Sequence, residues 1–167
     1  ETVSWDQEPK PLSAEKQAMA AEIAGRRELW DGSPANTNLC FHNGDAVDAF
    51  ADLVVKYAKE NPAVDYLHVW LADEYNNVCE CDGCRQTTPS DQYVQLLNEI
   101  DSRLAAENLP TRIVFLLYQE LLWPPVKARL AHPDRFVLMF APISRTFESS
   151  YDLGASEVPI PTFERNH

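Results

Sequence analysis

Glycine is scarce in this chain, five residues in 167, and none of them stands in a phosphate-cradling loop or beside a serine in a nucleophile elbow. Nucleotide-dependent enzymes and serine hydrolases built on such turns therefore drop down the list of functions. Basic residues are few as well: 14 against 26 acidic ones, for a formal net charge of -12. Nucleic acid and anionic membrane faces both attract basic surfaces, so neither is an expected partner. No apolar run reaches the roughly 20 residues that a membrane-spanning helix needs, which excludes insertion by a helix. No signal peptide opens the sequence, but a processed protein would lack one too, so the compartment has to come from elsewhere. Repeats of fixed period and low-complexity segments are also missing. The length is short of the roughly 250 residues of a complete eightfold α/β barrel, so a barrel-like reading implies part of a larger enzyme.

What is present concentrates between Val64 and Tyr93. An apolar run rich in β-branched and aromatic residues, Val64 to Ala72, reads as a buried strand and ends at the acid pair Asp73-Glu74. Cys79-x-Cys81-x-x-Cys84 follows at once. Free thiols are ordinarily scattered singly through cores, so three in six residues call for a metal or a bond.

Residues 1–12 read as a linker or edge segment with two prolines, 13–150 as one α/β domain, and 151–167 as a tail rich in proline and acid. Ser13 is placed to cap a helix running to about Trp30, with Met19, Ile23 and Trp30 near one face. A second helix spans about Asp45 to Glu60, with Val47, Phe50, Val54 and Ala58 on one stripe, and Asn61-Pro62 stops it. Thr88 followed by Pro89 starts a third, in which Tyr93, Leu96, Leu97, Ile100 and Leu104 repeat at helical spacing. Arg112 to Tyr118 is the next strand, Pro124-Pro125 opens a short helix, and Arg135 to Ala141 is a last strand. Helix and strand alternate, which predicts parallel strands joined by helical crossovers, with all the strand ends on one edge. Asp73, Glu74, Glu120 and Arg145 then converge there.

The cysteines leave two readings open. Cys79, Cys81 and Cys84 with Cys40, or with His42 or His68, can form a tetrahedral zinc site that is structural, since four protein ligands leave no position for a catalytic water. Two disulfides are the alternative, although a Cys-x-Cys pair is too close for easy bridging. Trp70 is expected in the core, whereas Tyr118 at a strand end and Trp123 offer hydrogen bonding and flat stacking surfaces to a ligand. His132 and His167 read as loop and tail residues.

Leu39-Cys40-Phe41-x-Asn43, the helix closed by Asn61-Pro62, Ala72-Asp73 with the cysteine cluster, Ser90-x-x-Tyr93-x-x-x-x-Asn98, the strand ending Leu117-Tyr118, and Pro124-Pro125 occur in the order of a bacterial family. Over about Asn38 to Ser150 the chain resembles the domain of unknown function 4838, which is similar in turn to alpha-glucuronidases and beta-hexosaminidases. The resemblance implies a (β/α)8 barrel or part of one, a glycan as substrate, further domains, and a secreted or periplasmic setting. The family tends to have Asn-Asp where this chain has Ala72-Asp73, and often a small residue where Glu74 stands. The resulting Asp73-Glu74 pair resembles that of the beta-hexosaminidases, in which the glutamate protonates the leaving oxygen and the aspartate steers the acetamido group.

Glycoside cleavage needs one protonated carboxyl at the leaving oxygen and a second carboxylate near the anomeric carbon. Asp73, Glu74 and Glu120 are the candidates, with Tyr118, Trp123 and Arg145 as substrate contacts, and Asp73 is expected to matter most. A non-catalytic carbohydrate-binding module would show aromatics in a groove but no acid with a raised pKa. A zinc-stabilised interaction domain would show an apolar patch and no cleft.

Overall fold

The computed structural model describes residues 12–143, so Arg145 and the 151–167 tail lie outside the described residues, as does all but the last residue of the 1–12 segment. Its centre is a three-stranded parallel sheet, β3 (Tyr66–Val69), β4 (Arg112–Leu117) and β5 (Phe136–Phe140), in spatial order β3-β4-β5. The register pairs Val69 with Phe115 and Phe115 with Leu138. Laterally paired residues share a face, so Leu67, Val69, Ile113, Phe115, Leu117 and Phe136 point to one side of the sheet. Helices α2 (Gly44–Glu60) and α3 (Pro89–Ala106) cover that side.

α3 forms where its sequence says it should. The Thr88 side chain accepts the N–H of Asp91, Pro89 occupies the first turn, and Tyr93, Leu96, Leu97, Ile100 and Leu104 make one buried stripe. The Tyr93 hydroxyl donates to the Val69 carbonyl and accepts the Leu116 N–H at 3.2 Å, so one buried phenol ties the helix to two adjacent strands. α2 starts at an Asn43 cap and buries Ala51, Val54, Val55 and Ala58 against the same core. Arg103 of α3 holds α2 from outside through Asp48 and Asp52.

Two helices expected from the sequence do not form as predicted. The first helix, α1, is only Ala14–Met19, where the sequence predicts a helix to Trp30. At Ala20 the backbone turns extended, and residues 19–21 pair with 38–40 instead: the Ala21 N–H bonds the Asn38 carbonyl at 2.9 Å and the Cys40 N–H bonds the Met19 carbonyl at 2.8 Å. A two-residue hairpin follows, β1 (Glu22–Ile23) against β2 (Arg26–Arg27), with both Ala24 and Gly25 at positive φ. That is the geometry of the tight hairpin turns whose twist suits antiparallel strands. The spacing of Met19, Ile23 and Trp30 imitates a helical face, and tertiary pairing overrides it. Pro124-Pro125 likewise opens no helix. Residues 124–130 run without regular structure because side chains of α3 take their backbone groups: Asp91 accepts the N–H groups of Lys127 and Ala128, and Asn98 bonds Arg129 and Ala131.

The other sheet face, turned away from α2 and α3, carries Tyr66, His68, Val114, Leu116, Val137 and Met139. Tyr66 and Met139 are exposed there. Trp70, expected in the core, is also exposed and lies edge-on to His68.

Candidate functional site

The carboxyl ends of β3 and β4 open into a shallow depression with room for about 30 Å³, lined by Asn38, Glu74, Asn77, Tyr118 and Glu120 among others. Two of the three candidate acids, Glu74 and Glu120, therefore face the same space, with Tyr118 beside them. Asp73 is not in its lining: its Oδ1 accepts the N–H of the next residue, Glu74, at 2.8 Å. Trp123 stands outside the depression, half exposed, its carbonyl accepting from the Ser90 hydroxyl at 2.5 Å.

Three of the six left-handed non-glycine residues among those described lie at this rim. Glu74 (φ 76), Asn76 (φ 58) and Gln119 (φ 50) are all left-handed, a conformation that costs an ordinary side chain about 1–2 kcal/mol. Glu120 Oε1 accepts the Asn76 N–H at 2.6 Å and so fastens the loop after β3 to the short 3₁₀ turn after β4. Underneath, the buried side chains of Asn38 and Asn77 bond each other at 2.9 Å. Asn38 also accepts the Ala72 N–H at 3.1 Å, and Asn77 donates to the carbonyls of Asp73 at 2.6 Å and Asn36 at 2.7 Å. This asparagine pair sets the path of residues 72–77, and nothing in the sequence marks it, since Asn38 and Asn77 are 39 positions apart.

The second cluster joins the far side of that loop. Cys40, Cys79, Cys81 and Cys84 bring their sulfurs within 4.8 Å of one another, and no disulfide joins any of them. Cys40 Sγ is 3.7 Å from Cys81 Sγ and 3.9 Å from Cys84 Sγ. A disulfide requires about 2.05 Å, whereas the edge of a tetrahedron with metal–sulfur bonds of about 2.3 Å is about 3.8 Å. The four sulfurs can thus hold a metal ion. The fourth member is Cys40, and neither His42 nor His68 belongs to the group. His42 lies instead against Gly83, where an added Cβ would come within 2.1 Å of its ring.

The thiols also compete for protons. Hydrogen bonds from Cys79 and Cys84 hold Cys40 far below the ordinary thiol range, overriding its burial. Its bond to Cys40 pushes Cys79 up to about 11, and Cys84 is raised by its bonds to Cys40 and Cys79. One thiolate forms at its neighbours' expense, and a cation among the sulfurs removes that competition by favouring all of the charged forms.

The residues of the Ser90-x-x-Tyr93-x-x-x-x-Asn98 pattern are likewise accounted for by geometry: each ties α3 to another part of the fold through one hydrogen bond or more, to Trp123, to Val69, and to Arg129 and Ala131. No helix among the described residues is long and apolar enough to cross a membrane. No curated protein and no solved structure matches the chain. A family model, Domain of unknown function (DUF4838), matches residues 21–157. With the greater part of its sequence matched, including the asparagine pair, the acidic rim and the cysteine cluster, the chain belongs to the DUF4838 family.

Proposed function

We propose that the chain supplies the acid-bearing edge of a carbohydrate-active enzyme, with Glu74 and Glu120 as the paired carboxylates and Tyr118 as a sugar contact. The observation that carries this reading is that both glutamates line one depression at the carboxyl edge of a parallel sheet, on a rim held in left-handed backbone at three positions. Chemistry in α/β folds sits at that edge, and strained backbone gathers where a site needs fixed geometry. Two carboxylates in one cleft are what glycoside cleavage requires. Asp73 is better suited to shaping the turn that presents Glu74 than to touching the substrate.

A depression of about 30 Å³ takes a water or two, not a sugar ring, so the rest of the substrate site comes from outside the described residues. The sheet supports this. Parallel sheets are normally covered on both faces, yet Tyr66 and Met139 on the face away from α2 and α3 are exposed, and three strands in sequential order with α2 and α3 on one side are what an arc of a (β/α)8 barrel would present. Zinc is the metal we assign to the four cysteines, because a closed tetrahedral set of thiolates suits it and leaves no open position for catalysis. Its role is to hold the loop that carries Asp73 and Glu74. The secreted or periplasmic setting that the family resemblance implies belongs to the same proposal.

The test is hydrolysis of aryl glycosides of uronic acids and N-acetylhexosamines by the protein and by its Glu74→Gln and Glu120→Gln variants. Each substitution is expected to lower the rate by about 10²–10⁴ while the fold is kept. Unchanged rates in both variants overturn the assignment. A second reading, a non-catalytic carbohydrate-binding module, is favoured by the exposed rings of Trp70, Tyr75 and Trp123. It predicts sugar binding that survives both glutamate substitutions and fails on Trp123→Ala.

A further inference from the structure

We infer that the asparagine pair Asn38–Asn77 couples the four-cysteine centre to the acidic rim, so that occupancy of the sulfurs decides whether Glu74 and Glu120 are held in one depression. This rests on the zinc reading above and adds to it a path and two positioning residues.

Two chain segments carry both sites. Asn38 and Cys40 stand two residues apart on one, Asn77 and Cys79 two residues apart on the other, and all four residues are buried. The segments meet at two rungs. At one, the asparagine side chains bond each other at 2.9 Å; at the other, Cys40 and Cys79 belong to the sulfur group that fits within 4.8 Å. A metal closes the second rung and so sets the spacing of the first. The segment of Asn38 is itself pinned from its other edge, where the Ala21 N–H bonds the Asn38 carbonyl at 2.9 Å and the Cys40 N–H bonds the Met19 carbonyl at 2.8 Å.

From the first rung the path runs directly to the acids. Asn38 Oδ1 accepts the Ala72 N–H at 3.1 Å, and Asn77 Nδ2 donates to the Asp73 carbonyl at 2.6 Å. The stretch so held, 72–77, contains Glu74 and Asn76, both in left-handed backbone, and the Asn76 N–H is the group that Glu120 grips at 2.6 Å. Left-handed backbone at such residues persists only where its surroundings over-determine it. The asparagine pair supports this stretch from below and Glu120 from the side. Separating two buried amides leaves both short of partners away from water, so parting the rung frees the loop.

Amide hydrogen exchange on the full chain reads this without a substrate. The reporters are the N–H groups of residues 72, 73, 74 and 76, all of which bond oxygen acceptors, and the amides of 93–104 in α3 are the reference for the global fold. In wild type, stripping zinc with a chelator is expected to speed exchange at 72–76 by about 10–100-fold, the scale of a lost buried hydrogen bond. α3 stays unchanged, and added zinc restores the rim. Asn38→Ala breaks the rung and keeps every sulfur. It is expected to take one Co(II) with the four-thiolate absorption of wild type, to exchange fast at 72–76 with metal bound, and to change little on chelation. A merely structural asparagine would speed exchange by the same factor with and without metal, and coupling carried by the chain through Val78 alone would leave the metal response intact; either result overturns the inference. Should Asn38→Ala not fold, Asn38→Ser, too short to reach Asn77, carries the same expectation. Wild-type protection at 72–76 that survives chelation, or an equal rise in α3, overturns the inference and leaves the metal centre standing. A wild-type chain that takes up neither Zn(II) nor Co(II) overturns the zinc reading and this inference with it.

Discussion

Glu120 and Asn76 join two chain segments that the sequence separates by 44 positions: the carboxylate accepts the backbone N–H at 2.6 Å. The 3₁₀ turn after β4 thereby holds the loop after β3 in place. Glu120→Gln keeps an acceptor oxygen and is expected to cost about 1 kcal/mol or less, whereas Glu120→Ala leaves the amide to water or to nothing and costs about 1–3 kcal/mol. Urea unfolding of the two variants measures the difference, and equal costs would mean that the bond does not hold the loop.

Glu74 has a φ of 76°. Glycine adopts that conformation without steric penalty but loses more chain entropy on folding, and the two effects nearly offset. Glu74→Gly is thus expected to be as stable as wild type or up to about 1 kcal/mol more stable, while glycan turnover is lost. Glu74→Val, with a branched Cβ in the left-handed region, should lower the melting temperature by several degrees. Thermal melts of both variants beside the hydrolysis assay separate strain from function, and a destabilised Gly variant would contradict the strained-rim description.

If the four sulfurs hold zinc as proposed, removing it should loosen the cysteine loop. Cys84→Ser is expected to abolish stoichiometric zinc in elemental analysis and to lower the melting temperature, and a strong chelator should do the same to wild type. Gly83→Ala reaches the centre indirectly, because its Cβ would fall 2.1 Å from the His42 ring and must push that ring or the Cys81–Cys84 turn aside. A melt insensitive to chelator would remove the clamp role.

Asp91 links stability to pH. Burial raises its pKa, but the N–H groups of Ala128 and Lys127 and the Thr88 hydroxyl outweigh burial and hold it below the ordinary carboxylate range. A depressed folded-state pKa means stabilisation that is complete above the unfolded value of about 3.9 and is lost as pH falls from there through the folded value. Asp91→Asn should be less stable near neutral pH and lose less on acidification. Parallel slopes for the two proteins below about pH 4 would show that Asp91 is not the group responsible.

In the core, Leu97→Ala and Ile100→Ala are each expected to cost about 2–5 kcal/mol, since both side chains are fully buried between α3 and the sheet. Tyr93→Phe keeps the ring and strips a hydroxyl that serves the Val69 carbonyl and the Leu116 N–H, for about 1–3 kcal/mol. Denaturant midpoints at constant slope check all three.

Local pattern sufficed wherever a segment buries one face against a single layer. The stripe Tyr93, Leu96, Leu97, Ile100, Leu104 and the caps at Asn43 and Thr88 have a physical signature within a few residues, so α2, α3 and the three strands were legible. The cysteine cluster was legible too, because its spacing alone forces three sulfurs onto one loop. The Ala20–Arg27 region was not: its fate depends on pairing with residues 38–40 and on contact with Cys79 and Glu80, partners that no local window contains.

The same boundary runs through the site. From the sequence alone came an α/β chain, acids placed after its strands, and a thiol clamp beside them, because periodicity and spacing are properties of neighbouring residues. Only the tertiary structure decided that Glu74 and Glu120 share a depression while Asp73 turns into its own loop, and that Cys40 and not a histidine completes the sulfur set. Those outcomes depend on which distant backbone groups each side chain meets, and such meetings are set by how the layers pack.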